Sequence, residues 1–134
     1  MQTLKIAVDT NVLVRAVMQD DQVQASKAIK TLKSAEQIAI ALPVLCEFVW
    51  VLRRTYQLPV SDIVLAIRTL ITTTNIETNR PAVEAGLVML ESGGDFADGV
   101  IAFEGRWLGA DMFVSFDKKA VALLDEQGYG AMLL

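Results

Sequence analysis

Histidine is absent from this chain of 134 residues, and cysteine occurs once. Without imidazole there is no Ser-His or Cys-His nucleophile pair and no His-ligated zinc; one thiol excludes an internal disulfide and a thiolate zinc cage. Any hydrolytic chemistry must come from carboxylates, hydroxyls, Lys or Arg, or from a metal on oxygen ligands. Cys46, inside an apolar stretch, reads as a small core residue. Long hydrophobic runs are missing too. The longest, residues 38–52, is interrupted by Pro43 and Glu47 and falls short of the roughly 20 residues of a membrane span, so no transmembrane helix is expected. No apolar segment with a small-residue cleavage site precedes Asp9, which predicts a cytoplasmic protein without a secretory signal. Positive charge is also short: 12 basic against 16 acidic residues leave a net charge of −4. That balance argues against wholesale nucleic-acid binding but leaves room for a local basic rim. The chain has no repeat, linker or low-complexity tract.

What is present is apolar. Hydrophobic residues make up 53% of the chain and the mean hydropathy is +0.41, which implies a thoroughly buried sheet, an apolar surface used for association, or both. The length suits a single domain over residues 1–134, since domains cluster at roughly 100–150 residues. Residues 4–8 read as a short strand and 11–18 as a helix, broken near Asp20 and Asp21. Residues 23–32 form an amphipathic helix with Ala25, Ala28, Ile29 and Leu32 on one face. Residues 38–42 are a strand. Pro43 opens a helix to about residue 56, and Ser61 or Asp62 caps the next, 63–71. Ile76 lies in a short edge strand. Pro81 opens a helix to residue 91, Gly93 and Gly94 mark a loop, and 96–108 is helical. A strand (112–115), a helix (118–127) and a last strand (132–134) complete the chain. Short strands alternating with longer helices predict an α/β fold with a parallel sheet covered on both faces.

In such a sheet, ligands bind at the carboxyl ends of the strands. Asp9 directly follows the first strand, Asp117 follows the strand 112–115, and Asp98 opens a helix after the glycine loop. Glu47 sits about one turn into a helix among Val44, Leu45, Phe48 and Val49, so partial burial is expected there, at a cost of several kcal/mol unless compensated. Each acid also has a purely structural reading: Asp9 and Asp117 as N-caps, Asp98 as a first-turn acid favoured by the helix dipole. Were they to converge to about 5 Å, each ionised pair would repel by roughly 3 kcal/mol at an effective dielectric near 20. Three such pairs approach the whole stability of a domain, on the order of 5–15 kcal/mol. A cluster of that kind needs a cation or retained protons, and oxygen-only ligands favour Mg²⁺ or Mn²⁺ over zinc.

Four segments, Asp9-Thr10-Asn11, Pro43-Val44-Leu45-Cys46-Glu47, Asp95-Phe96-Ala97-Asp98-Gly99-Val100-Ile101-Ala102 and Ser115-Phe116-Asp117, resemble in order and spacing the PIN-domain ribonucleases, and among them the VapC-type toxins of bacterial type II toxin–antitoxin pairs. The resemblance implies a three-layer sandwich with a short central parallel sheet of about four to five strands flanked by helices. It implies that Asp9, Glu47, Asp98 and Asp117 are catalytic around one or two Mg²⁺ or Mn²⁺ ions, with Asp9, Asp98 and Asp117 as metal ligands. Thr10, Asn11 and Ser115 would support the site by hydrogen bonding; Ser115 stands where Thr is common. Asp95 is an additional acid that either caps its helix or holds an outer metal water. The implied activity is metal-dependent endoribonuclease cleavage of transfer or ribosomal RNA that inhibits translation and growth. The implied partners are RNA, a VapB-type antitoxin with a DNA-binding domain, and a second copy of the chain.

Arg15, Lys27, Lys30, Lys33, Arg53, Arg54, Lys118 and Lys119 are candidates for guiding the RNA backbone; a solvated helix face or a helix-dipole partner is the alternative for each. Three other readings compete. A phosphoryl-accepting receiver-like signalling domain wants adjacent early acids, which Asp9 lacks, and a haloacid-dehalogenase-like phosphatase wants an acid where Asn11 stands. A catalytically inactive PIN-fold binding module would not require the four acids.

Overall fold

Short apolar segments ended by polar residues become strands, and longer stretches with apolar residues every third or fourth position become helices, in the computed structural model, which describes residues 4–134. Two compact units make up the chain, Met1–Asn79 and Arg80–Leu134.

In the first unit, β1 (Lys5–Ala7), β2 (Gln37–Ala39) and β3 (Ile76–Glu77) pair in parallel in the order β1-β2-β3, with Ile6 opposite Ile38 and Ile38 opposite Ile76. Helices α1 (Thr10–Met18) and α2 (Gln22–Ser34) link β1 to β2; α3 (Leu42–Arg54) and α4 (Val60–Thr72) link β2 to β3. Gln19 ends α1 in the left-handed conformation (φ 54°), and the Asp21 carboxylate then caps α2 by accepting from the Gln24 N–H at 3.0 Å. This is the break expected near Asp20 and Asp21. In α3, Leu42, Leu45, Phe48, Val49 and Leu52 are buried, and in α4 Ile63, Ile67 and Ile71 are buried. Each such side chain contributes roughly 1.5–3 kcal/mol when taken out of water. The Asn75 amide donates to the carbonyls of Leu32 (3.1 Å) and Ala35 (3.2 Å), tying the approach to β3 onto the end of α2.

Most boundaries fall within two residues of expectation, and two differ by three. Leu42 belongs to α3 rather than to the preceding strand, because it is the buried residue that starts the helical stripe. Helix α4 begins at Val60 and not at Ile63, with no side-chain cap from Ser61 or Asp62. The boundary residue is Pro59, whose ring fixes φ (−66°) while its ψ of 153° remains extended, so the helix starts on the next residue.

In the second unit, α5 (Arg80–Glu91) and α6 (Phe96–Trp107) pack face to face, followed by β4 (Phe113–Ser115), α7 (Lys118–Glu126) and β5 (Ala131–Leu133). Strands β4 and β5 are parallel, with Phe113 opposite Ala131 and Ser115 opposite Leu133. Met89, Ala102, Ala120 and Leu124 form a core cluster, flanked by Phe113, Leu123, Tyr129 and Ala131. The two helices approach through glycine: a Cβ on Gly86 would lie 2.7 Å from the Phe96 ring, and one on Gly99 would meet the Ala85 carbonyl oxygen. Gly93, with φ 96°, turns the chain between them as the glycine pair predicted.

The α/β fold holds, with seven helices and five strands among the described residues, every strand pairing parallel; three strands pair in the first unit and two in the second. Among the described residues no helix is long and apolar enough to cross a membrane. The high hydrophobic content reaches the surface, where Trp50, Trp107 and Phe116 are 58%, 77% and 79% exposed. Cys46 is half-buried rather than a core residue.

Candidate active site

The chain leaves β1 through Val8 and reaches Asp9 in an extended conformation, and α1 begins at the next residue. The exposed Asp9 carboxylate accepts from the Val12 N–H at 3.3 Å through one oxygen, so Asp9 is an N-cap and still presents its other oxygen outward. Asn11 is exposed in the same first turn. Thr10 points inward and is 6% exposed, and its hydroxyl donates to Glu47 Oε1 on α3. That bond fastens the β1–α1 turn to α3.

Glu47 corrects the expectation of a partly buried acid: it is exposed. Its apolar sequence neighbours are not its spatial neighbours, because at 3.6 residues per turn Leu45, Phe48, Val49 and Leu52 share the inward face while Glu47 and Trp50 lie on the outward one. The expected desolvation cost does not arise.

In the second unit Asp98 occupies the first turn of α6 and is half-buried. Burial pushes its carboxyl above the ordinary Asp range, and the nearby charges of Asp95 and then Asp117 push it further. Asp95 holds the N-cap position of α6, yet its exposed side chain makes no capping bond, leaving its charge for Asp98 to feel. Asp117 caps α7, with Oδ1 accepting from the Ala120 N–H at 3.1 Å, while its own N–H donates to Ser115 Oγ at 2.9 Å. Lys118 follows, exposed, as the first residue of α7.

Asp117 thus has two separable parts to play, and substitution distinguishes them. Asp117→Asn keeps a capping oxygen and should leave chemical denaturation within about 0.5 kcal/mol of the parent, whereas Asp117→Ala loses the cap and should destabilise by about 1 kcal/mol. A functional role for the charge requires both to lose activity alike.

The structure therefore joins Thr10 to Glu47 in one unit, and Asp95, Asp98 and Asp117 electrostatically in the other. Among the described residues no group of three or more His, Cys, Asp or Glu side chains is arranged as a ready-made metal cage. The donor chemistry nevertheless suits a hard divalent cation. Mg²⁺ keeps several waters and does not need an all-protein shell, and a cation would offset both the burial that chiefly raises the Asp98 carboxyl and the smaller effect of the Asp95 and Asp117 charges. Sequence reasoning missed a polar network in the first unit, in which Arg15 contacts Asp20 and Gln24, and Tyr56 contacts Asp20. Tyr56 lies 36 residues from Asp20, and nothing in the sequence signals the pairing.

No curated protein matches the chain. The family model for the PIN domain matches residues 6–124, a span that begins in β1 and ends in α7, so all four acid-bearing segments fall inside it. PIN domains are typically metal-dependent nucleases, and on this match the chain belongs to the PIN-domain family.

Proposed function

We propose that this protein is a Mg²⁺- or Mn²⁺-dependent endoribonuclease, a single PIN domain acting as the VapC-type toxin of a toxin–antitoxin pair. The observation that carries the reading is the PIN-domain match over residues 6–124, within which Asp98 lies in a helix first turn, its carboxyl raised by burial and then by Asp95 and Asp117. Such a knot of negative charge has an evident use if a cation neutralises it. The family match and the order of the four segments support assigning Asp9, Glu47, Asp98 and Asp117 to one activity.

Asp9, Asp98 and Asp117 would hold the metal, which when bound supplies Lewis-acid activation of water and offsets charge on the scissile phosphate. Glu47, whose Oε1 accepts from the Thr10 hydroxyl, would complete the metal shell or accept the attacking water's proton, with Oε2 the oxygen left without that bond. Ser115 holds the Asp117 backbone, and hence the carboxylate, in place. The partners follow from the same reading: transfer or ribosomal RNA as substrate, a VapB-type antitoxin with a DNA-binding domain as inhibitor, and a second copy of the chain in a homodimer.

The test is metal removal. Purified protein incubated with cellular RNA should cut at discrete positions with Mg²⁺ or Mn²⁺, lose that cleavage in chelator, and regain it when the metal is returned. Expression in a bacterium should arrest growth and lower translation. Cleavage that persists in chelator would refute the metal assignment, and intact RNA under every metal condition would leave the inactive binding-module reading in its place.

A further inference from the structure

In the first unit a cleft of about 680 Å³ is lined by β1, the turn after it that carries Asp9, and helices α1 and α2. Its lining is largely apolar, with Ile6, Val8, Val12 and Ala28, and includes the polar Asn11, Arg15 and Lys27. Two cations thus face one cleft of a protein whose net charge is −4. Lys27 makes no ion pair among the described residues.

Arg15 is held rather than free. Its Nε donates to Gln24 Oε1 at 2.7 Å and its Nη1 to Asp20 Oδ1 at 3.1 Å. The other oxygen of Asp20 accepts from the Tyr56 hydroxyl at 2.8 Å, across 36 residues. Tyr56, more than Arg15, keeps the Asp20 carboxyl below the ordinary range. Two of the five guanidinium N–H donors are used in this way; the Nη2 donors have no partner among the described residues. An Nη2 group whose N–H bonds are unpaired among the described residues, on a guanidinium anchored through Nε and Nη1, is suited to donate charge-assisted bonds to a phosphate oxygen.

We propose that this cleft is a subsite for an RNA backbone phosphate, that Arg15 is the residue that binds it, and that Tyr56 and Asp20 are positioning residues that orient the guanidinium. The inference rests on the nuclease reading for its choice of polynucleotide, and adds to it the path by which the strand reaches Asp9. Gln24 fixes the guanidinium from the α2 side, and Lys27 supplies a second, less directional charge.

The experiment measures binding of a fluorescein-labelled single-stranded RNA oligonucleotide by anisotropy across a salt series, in chelator, so that cleavage is not needed. Arg15→Ala is expected to weaken binding roughly tenfold and to reduce the slope of log affinity against log salt by about 0.7, the contribution of one phosphate contact. Arg15→Lys should keep most of the slope without recovering the affinity. Tyr56→Phe leaves the charge intact; it should weaken binding about threefold with an unchanged slope, and in the cleavage assay raise KM while leaving kcat alone. Thermal melts show that each variant is folded; should Arg15→Ala be unfolded, Arg15→Gln replaces it. An Arg15 variant that is folded and binds with the parent's affinity and slope overturns the proposal, as does a parent protein that fails to bind the oligonucleotide. Arg15-dependent binding without metal-dependent cleavage would keep the subsite and refute the nuclease reading.

Discussion

Gly99→Ala should lower stability by about 1–3 kcal/mol, which for a chain of this size is a fall in Tm of about 5–10 °C. Alanine is the better helix former by roughly 1 kcal/mol, so intrinsic propensity predicts the opposite sign. Packing decides. The new methyl would meet the Ala85 carbonyl oxygen and lie 2.8 Å from Met89 Cβ and 2.9 Å from Gly86 Cα. All three belong to the body of α5, and none is the movable end of a side chain, so α6 itself must retreat. Because Asp98 precedes Gly99, that retreat also shifts the carboxylate, and cleavage should fall with stability. Gly105→Ala is the matched control. It lies in the same helix with nothing within 4 Å of its added Cβ, and should be neutral or stabilising by up to about 1 kcal/mol. Urea denaturation of the two variants side by side checks the pair; equal effects would mean that the close approach of α5 and α6 is not what requires glycine at position 99.

Asp98→Asn should reduce RNA cleavage roughly 10²–10³-fold, the usual scale for removing a charge that acts in the transition state, while making the metal-free protein more stable. The second half follows from the raised carboxyl. In the folded state Asp98 holds its proton to higher pH than in the unfolded chain. Its favourable effect is therefore fully present below the ordinary Asp value near 3.8 and is lost as pH rises through the folded value. At neutral pH the folded protein bears the whole penalty of the ionised group, and a neutral amide removes it. Since the residue is only half-buried and partly screened by solvent, the expected rise in Tm at pH 7 is modest, about 2 °C, and should vanish near pH 3. Added Mg²⁺ should stabilise the parent and not the variant. Thermal melts at both pH values, with and without metal, provide the check; an Asp98→Asn protein less stable than the parent at pH 7 in chelator would show that the carboxylate is structural.

Local physics made much of this legible in advance. Helices α3 and α4 were readable because their apolar residues recur at helical spacing, and the turn after β1 because an acid between apolar segments is a cap. The capping bonds of Asp9 and Asp117 are contacts between residues three apart, within reach of a pattern in the sequence. What escaped depends on direction or on distance along the chain. Glu47 was expected to be buried from the company it keeps in sequence, but helical rotation carries it outward. Asp95 occupies a cap position without making the cap, a matter of side-chain orientation that residue type does not settle. The Tyr56–Asp20–Arg15 network and the meeting of Gly86 with Phe96 join residues that only the folded chain brings together.

The tryptophans carry a practical consequence of how the chain is divided. Trp50 lies on α3 in the first unit and Trp107 at the end of α6 in the second, both largely exposed. Each unit thus contains its own natural fluorophore, already wet in the native state. Emission wavelength will hardly shift on unfolding, so intensity and anisotropy are the signals to follow, and replacing either indole leaves a reporter for the other unit alone. Whether the halves melt together can then be read optically without attaching a label.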